Sequence, residues 1–296
     1  VHKGDQSQSL AGAAKVKHLC LNPSPRITFL PQSSLKGFCR LKHAPASERR
    51  IKQVASLSRK KGRDQLNSFL IEGIRSLHSA TVAGADIVDI FVEEGAMTGY
   101  RSEKLEESFV DRTFSVSARD MNKMADTTTS PGILAVAKIP DPKTDCILCY
   151  PKVLVLDGVQ DPGNVGTLVR TAAWFGVDSV VAGPGTADFY APKTVRSAMG
   201  GIWDLQLERV ETLGGFLETC RRNDVDIRYA DMQGTPVQDW EAPENSILII
   251  GSEAHGVSEE VRSKADGAVS IAPAGSETAV ESLNAAIAGG IIMSHW

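Results

Sequence analysis

Residues 157–176 read DGVQDPGNVGTLVRTAAWFG, in which an apolar run ends at an aspartate and a glycine-bearing loop leads into a helical pattern. This layout suits a phosphate held on a helix N-terminus, but the loop contains neither G-x-G-x-x-G nor G-x-x-x-x-G-K-[ST]. A dinucleotide pyrophosphate and a P-loop triphosphate both lack their usual cradle. In the helix, Val165, Leu168, Val169, Ala172 and Ala173 form an apolar stripe that Arg170 leaves. Helical side chains lean toward the N-terminus, which aims the Arg170 guanidinium back at the loop holding Asn164. The plain alternative is a solvated surface arginine. Asn164 sits at the helix start, where capping of free N–H groups would explain it equally well. Further along, Glu253 follows Gly251 and Ser252, and Ser282-Leu283-Asn284 precedes a run of small residues. His255 has a pKa suited to general base work, but it is one loop histidine without a visible partner and reads as accessory.

The elements that must position these residues alternate. Strand-like runs at 153–156, 179–182, 226–230, 247–250 and 268–272 are separated by helical patterns from about 164, around 212–222, after 258 and from about 281. Alternation of this kind predicts an α/β fold with a parallel sheet covered on both faces, and ligands gather beyond the carboxyl ends of such strands. Those ends are Asp157-Gly158, Gly183-Pro184, Gly251-Ser252-Glu253 and Ala272-Pro273, rich in residues that let a backbone approach a ligand closely. Upstream, residues 47–140 read as a small α/β unit: a basic helix, an apolar stretch at 69–74, and strands at 87–92 and 132–139. Residues 141–152 read as a linker, and 153–296 as the second domain.

Composition bounds the function. A chain of 296 residues with 42% hydrophobic and 23% charged residues is ordinary globular material for two domains and a tail. No apolar run is long enough for a membrane span. The net charge of −4 is uneven: residues 1–46 carry seven Lys or Arg and one acid, leaving 25 bases against 35 acids in the remainder. An acidic body argues against non-specific coating of nucleic acid, while the local stretch Arg49, Arg50, Lys52, Arg59, Lys60, Lys61 and Arg63 is either an RNA-binding patch or a solvated helix face. The tail is poor in acids, contains serines and four prolines, and matches an organelle transit peptide, chloroplast or mitochondrial, with a plain disordered tail as the alternative. Five scattered cysteines fit no disulfide framework, and Cys146-Ile-Leu-Cys149 lacks the second pair that a zinc site needs. No metal is expected.

Three stretches at the strand ends carry a resemblance: NVGTLVRTAAWFG (164–176), IIGSEAHGVSEE (249–260) and VSIAPAGSETAVESLNAAIAGGI (269–291). In this order and spacing they resemble the signature motifs of the SpoU-type, TrmH-like RNA 2′-O-methyltransferases of the SPOUT class. RKKGRDQLNSFLIEGIRSLHSA (59–80) and TTTSPGILAVAKIP (127–140) are similar to the L30e-like substrate-binding domain that many of these enzymes carry.

The resemblance implies methyl transfer from S-adenosyl-L-methionine to a ribose 2′-hydroxyl of RNA, with ribosomal RNA favoured over transfer RNA, in a homodimer whose C-terminal domain holds a deep trefoil knot. It implies catalytic roles for Arg170, Asn164, Glu253, Ser282 and Asn284, and cofactor binding at Gly251, Ser252, Ile271 and Leu283, mainly through backbone groups. Arg59, Lys60, Lys61 and Arg63 are the expected RNA contacts. A guanidinium hardly ever deprotonates, so Arg170 is expected to stabilise a developing alkoxide and grip a phosphate rather than act as a literal base. The rival readings are a transfer-RNA 2′-O-methyltransferase, a non-catalytic RNA-binding relative, and a nicotinamide oxidoreductase. Retention of all five catalytic positions opposes the second, and the missing dinucleotide loop opposes the third.

Overall fold

The computed structural model describes residues 43–94, 107–141, 150–274 and 281–296. Residues 1–42 of the expected transit segment and most of the expected linker, with Cys146 and Cys149, lie outside the described residues. The last residues of that segment are corrected by the structure: Ala44 and Pro45 pair with Phe114 and Ser115, so they belong to the first sheet and not to a tail. The first sheet is built from β1 (Ala44–Pro45), β2 (Ser68–Glu72), β3 (Ile87–Glu93), β4 (Thr113–Val116) and β5 (Ile133–Lys138), in the order β1-β4-β3-β5-β2. Its helices are α1 (Glu48–Ser56), α2 (Lys60–Leu66), α3 (Ile74–Val82) and α4 (Ala118–Met124). The expected single basic helix is two. Ser47 caps α1 by accepting from Arg50 N, Leu57 ends that helix, and α2 begins after Arg59.

The second sheet contains β6 (Lys152–Asp157), β7 (Ser179–Ala182), β8 (Gln206–Arg209), β9 (Asp226–Pro236), β10 (Ser246–Gly251) and β11 (Gly267–Ser270), all parallel, in the order β11-β9-β10-β6-β7-β8. Between its strands lie α5 (Pro162–Trp174), α6 (Pro192–Ala198), α7 (Leu213–Arg221) and α8 (Glu259–Arg262), and α9 (Ala285–Met293) follows β11. The apolar strands are buried on both faces because alternate residues enter different cores. Leu154, Leu156, Leu248 and Ile250 join one cluster with residues of α5, α6 and α9, while Val153, Val155, Ile247 and Ile249 join another with residues of α7 and α8. Strand β8 and helix α6 do not follow from the sequence pattern. QLER has no apolar alternation, and α6 is a short helix begun by Pro192.

One hydrophobic cluster runs through both sheets. Phe69, Ile71, Ile133 and Ala135 of the first pack in the same core as Val195, Ala198 and Ile202 of the second. Phe69 lies between Tyr190, 4.9 Å away by ring centroids, and Trp203 at 5.8 Å. Two cations form ion pairs across the same boundary. Arg196 of α6 donates to Glu72 at 2.7 Å and to Asp126 at 2.9 Å, while Glu72 also accepts from the Thr127 hydroxyl at 2.6 Å.

The other cation is Arg63, and here the structure corrects the sequence reading. Arg63 is 3% exposed. Its Nε and Nη2 bind Asp188 at 3.0 and 2.6 Å, and its Nη1 donates to the carbonyls of Leu57 and Ser58. A guanidinium so occupied has no free face for a phosphate, so Arg63 joins the two sheets. Arg59, Lys60 and Lys61 remain exposed.

Candidate active site

The start of α5 is fixed by Asp161, whose Oδ1 accepts from Asn164 N at 3.0 Å while Pro162 takes the first helical position. Asp161 is held below the ordinary carboxylate range, chiefly by the Lys193 ammonium at 2.7 Å and then by the α5 backbone. The capping role open to Asn164 thus falls to Asp161, three residues earlier. This frees the Asn164 amide, which donates through Nδ2 to Glu253 Oε1 and accepts through Oδ1 from Asn284 Nδ2 at 3.1 Å. Asn284 in turn caps α9, its Oδ1 accepting from Ala286 N at 3.0 Å and Ile287 N at 3.3 Å. That cap also explains why α9 begins at Ala285 and not near Glu281 as the sequence pattern indicated. Residues 281–284 stay outside the helix.

Glu253 belongs to a tight loop at the end of β10. Ser252 and Gly256 exchange both backbone hydrogen bonds, at 3.0 and 2.9 Å, and the Ser252 hydroxyl accepts from His255 N at 3.1 Å. Asp157 at the end of neighbouring β6 accepts from Ser258 N at 2.7 Å and ties the loop to the sheet. Gly251 is required here because a Cβ would fall inside the contact radius of the Gly256 carbonyl.

Beside this loop is a cavity of about 700 Å³, bounded by Gly251, Ser252 and Glu253, by Ile271 to Pro273, by Glu281, Ser282 and Leu283, and by Ala285, Ala288 and Ile292 of α9. Glu253 therefore faces both the cavity and the asparagine pair. The structure gathers Gly251, Ser252, Ile271, Ser282 and Leu283 around one space, and Asn164, Glu253 and Asn284 into one hydrogen-bonded chain. Arg170 stands apart. It is exposed on α5, does not line the cavity, and makes no hydrogen bond or ion pair among the described residues. The geometry that would return its guanidinium to Asn164 is not adopted within this chain. His255 likewise lies outside the cavity lining, exposed in the loop.

One wall has no counterpart in the sequence reading. Ala230, Asp231, Met232 and Gln233 line the cavity, although the strand pattern ends at Ala230. The local signal was Gly234, beyond that end, a residue type that lets one backbone approach another closely. A Cβ on Gly234 would sit 2.6 Å from the backbone of Ala268.

A mouth built from one carboxylate held by an amide that a second amide fixes in turn, beside a cavity with apolar walls and backbone groups, can orient a hydroxyl against a bound small molecule. Comparison with known proteins gives the family. The model of the SpoU rRNA methylase family matches residues 151–294, and that of an MRM3-like substrate-binding domain matches residues 48–135. The 23S rRNA (guanosine(2553)-2′-O)-methyltransferase of Bacillus subtilis is 32% identical, with 84% of this chain and 96% of that protein covered. This chain belongs to the SpoU rRNA methylase family. A second relative, the mitochondrial rRNA methyltransferase 3A of Danio rerio, is 28% identical over 86% of this chain and 69% of its own length. Among solved structures, the SpoU methyltransferase AviRb of Streptomyces viridochromogenes, in complex with the cofactor AdoMet, is 25% identical with a TM-score of 0.73 over 84% of this chain and 97% of that one.

The SpoU cofactor fits the residues present. Pockets of roughly 300–1,000 Å³ bury most of a ligand of this size, and the cavity of about 700 Å³ is within that range. Ile250, Val269, Ile271 and Leu283 offer apolar surface, while the loop at Gly251 brings backbone groups close. Among the described residues no group of His, Cys, Asp or Glu is arranged to hold a metal ion.

Proposed function

We propose that this SpoU protein transfers a methyl group from S-adenosylmethionine to a ribose 2′-hydroxyl of ribosomal RNA. The observation that carries the reading is the chain Glu253–Asn164–Asn284 at the mouth of the cavity, assembled from three separate motifs. When bound, S-adenosylmethionine supplies an electrophilic methyl group. Gly251, Ser252, Ile271 and Leu283 hold it, and Ser282 and Glu253 fix the approach of the ribose. Fixed orientation of this kind is a large part of what such a site can contribute to rate. Arg59, Lys60 and Lys61, exposed on and beside α2, bind RNA phosphates from the unit at 47–140, while 153–296 carries the chemistry.

Arg170 completes the site from a second copy of the chain. Trp174, one turn from Arg170 on α5, is 83% exposed, and Ile287 on α9, which packs against α5, is 56% exposed. A homodimer would cover this apolar surface and carry Arg170 to the neighbouring cavity, where its charge stabilises the alkoxide as water or a phosphate removes the proton. The trefoil knot and an organelle address in the N-terminal segment before β1 belong to the same reading, and the mitochondrial relative supports the address.

The test is methyl transfer from labelled S-adenosylmethionine to ribosomal and transfer RNA, followed by mapping of ribose methylation. Label on a ribose of ribosomal RNA is expected. Label on a base, label on transfer RNA alone, or no transfer would overturn the reading.

A further inference from the structure

The pairing of β9 with β11 jumps: Ala268 faces Tyr229, and the next residue, Val269, faces Thr235. Residues 230–234 are thereby extruded from the ladder, and Asp231, Met232 and Gln233 become one wall of the cavity. An extruded segment loses the ladder bonds that would fix it and must be held by other contacts. Within the bulge, Asp231 Oδ1 accepts from Gln233 N at 3.0 Å, which shapes the turn but anchors it to nothing else. Its side-chain ties to the rest of the described protein are the Ser270 hydroxyl, donating to Gly234 O at 2.9 Å, and Arg262, whose Nη2 meets Asp231 Oδ2 at 2.8 Å.

Arg262 does more than pair with Asp231. It is the last residue of α8, its Nε donates to Val257 O at 3.1 Å, and its guanidinium lies 5.2 Å from the centre of the Tyr229 ring. Val257 is buried and closes the loop that begins at Gly251. One guanidinium thus connects the bulge on one side of the cavity to the loop on the other. Its planar fork holds two donors in fixed directions while its face lies near a ring, a geometry that the point charge of an ammonium does not reproduce. Arg262 does not itself line the cavity.

We propose that Arg262 is a positioning residue for the cofactor, setting the distance between the 230–234 wall and the 251–257 loop. This rests on the reading of the cavity as the S-adenosylmethionine site. Arg262→Met keeps an apolar stem over Tyr229 and removes the donors, while Arg262→Lys keeps the charge without the fork. Calorimetric titration with S-adenosylhomocysteine is the test, with methyl transfer measured alongside at saturating RNA. For Arg262→Met the dissociation constant rises about tenfold and KM for S-adenosylmethionine rises with it, the scale of losing hydrogen bonds to a charged group. At saturating cofactor kcat stays within about twofold of wild type, since the interaction is made equally in ground and transition states. Arg262→Lys recovers only part of the affinity. A residue that merely stabilised the fold would lower the melting temperature and leave the affinity of the folded protein unchanged. Wild-type affinity in Arg262→Met, or in Arg262→Lys should the first variant not fold, overturns the proposal. Failure of the wild-type protein to bind S-adenosylhomocysteine refutes instead the reading of the cavity.

Discussion

Replacing Arg63 by alanine separates a structural cation from an RNA-binding one. Its side chain is 4% exposed, against 24% for Asp188, and it makes two bonds to that carboxylate and one to each of two carbonyls. Truncation leaves Asp188 without its partner at the boundary between the sheets and removes a donor from Leu57 O. Breaking a buried pair of this kind costs about 3–5 kcal/mol, and the partial exposure of Asp188 favours the lower end. For a protein of this size each kcal/mol moves the melting temperature by roughly 2–4 °C, so Arg63→Ala should melt about 6–12 °C lower. RNA binding in the folded variant should change little. Lys60→Ala combined with Lys61→Ala should do the reverse, because both ammoniums are exposed and free of ion pairs among the described residues. For every phosphate no longer neutralised, the slope of log affinity against log salt becomes shallower by about 0.7–0.9. Calorimetric melting and RNA binding over a salt series decide the matter. An Arg63→Ala protein with wild-type melting and a reduced salt slope would refute the structural assignment.

Gly251→Ala should abolish binding of S-adenosylhomocysteine, since its Cβ would collide with the Gly256 backbone and force open the loop beside the cavity; calorimetry with unchanged affinity would contradict this. Arg170→Ala should lower single-turnover methyl transfer far more than cofactor affinity, and Arg170→Lys should recover little, whereas a solvated arginine predicts wild-type rates in both. The Tyr190 hydroxyl is pushed up to about 12 by burial and then by the Asp188 charge. The folded state thus keeps this proton more tightly than the unfolded chain, so its stabilising share is complete below pH ~10 and is lost as pH rises toward ~12, about 3 kcal/mol in all. Tyr190→Phe should flatten that alkaline loss in melting experiments, and an unchanged profile would show that Tyr190 does not link pH to stability.

Much of this protein was legible in order and spacing. VLVL and ILII are strands because unbroken apolar runs bounded by glycine and charge suit a sheet covered on both faces. The small residues at Gly251 and after Asn284 marked where backbone approaches backbone or ligand. Even so, local rules misplaced roles. The pair Asp161-Pro162 marks Asp161 as the cap, since proline favours the first helical position, yet the sequence reading offered that role to Asn164, which also suits a helix start. That the Asn164 amide instead meets Glu253, 89 residues away in sequence, no local rule could say. The bulge at 230–234 depends on β11 pairing across it, which is a property of the neighbour and not of the strand's own pattern. Arg63 reads as one more base in a basic stretch, yet Asp188, 125 residues distant, neutralises it in a buried boundary. Periodicity and caps are short-range, so the sequence alone determined most of the elements and the family they signal, though not β8, α6 or the division of the basic helix into α1 and α2. Which charges are buried and which amides meet depends on contacts between distant segments, and the tertiary structure alone decided them.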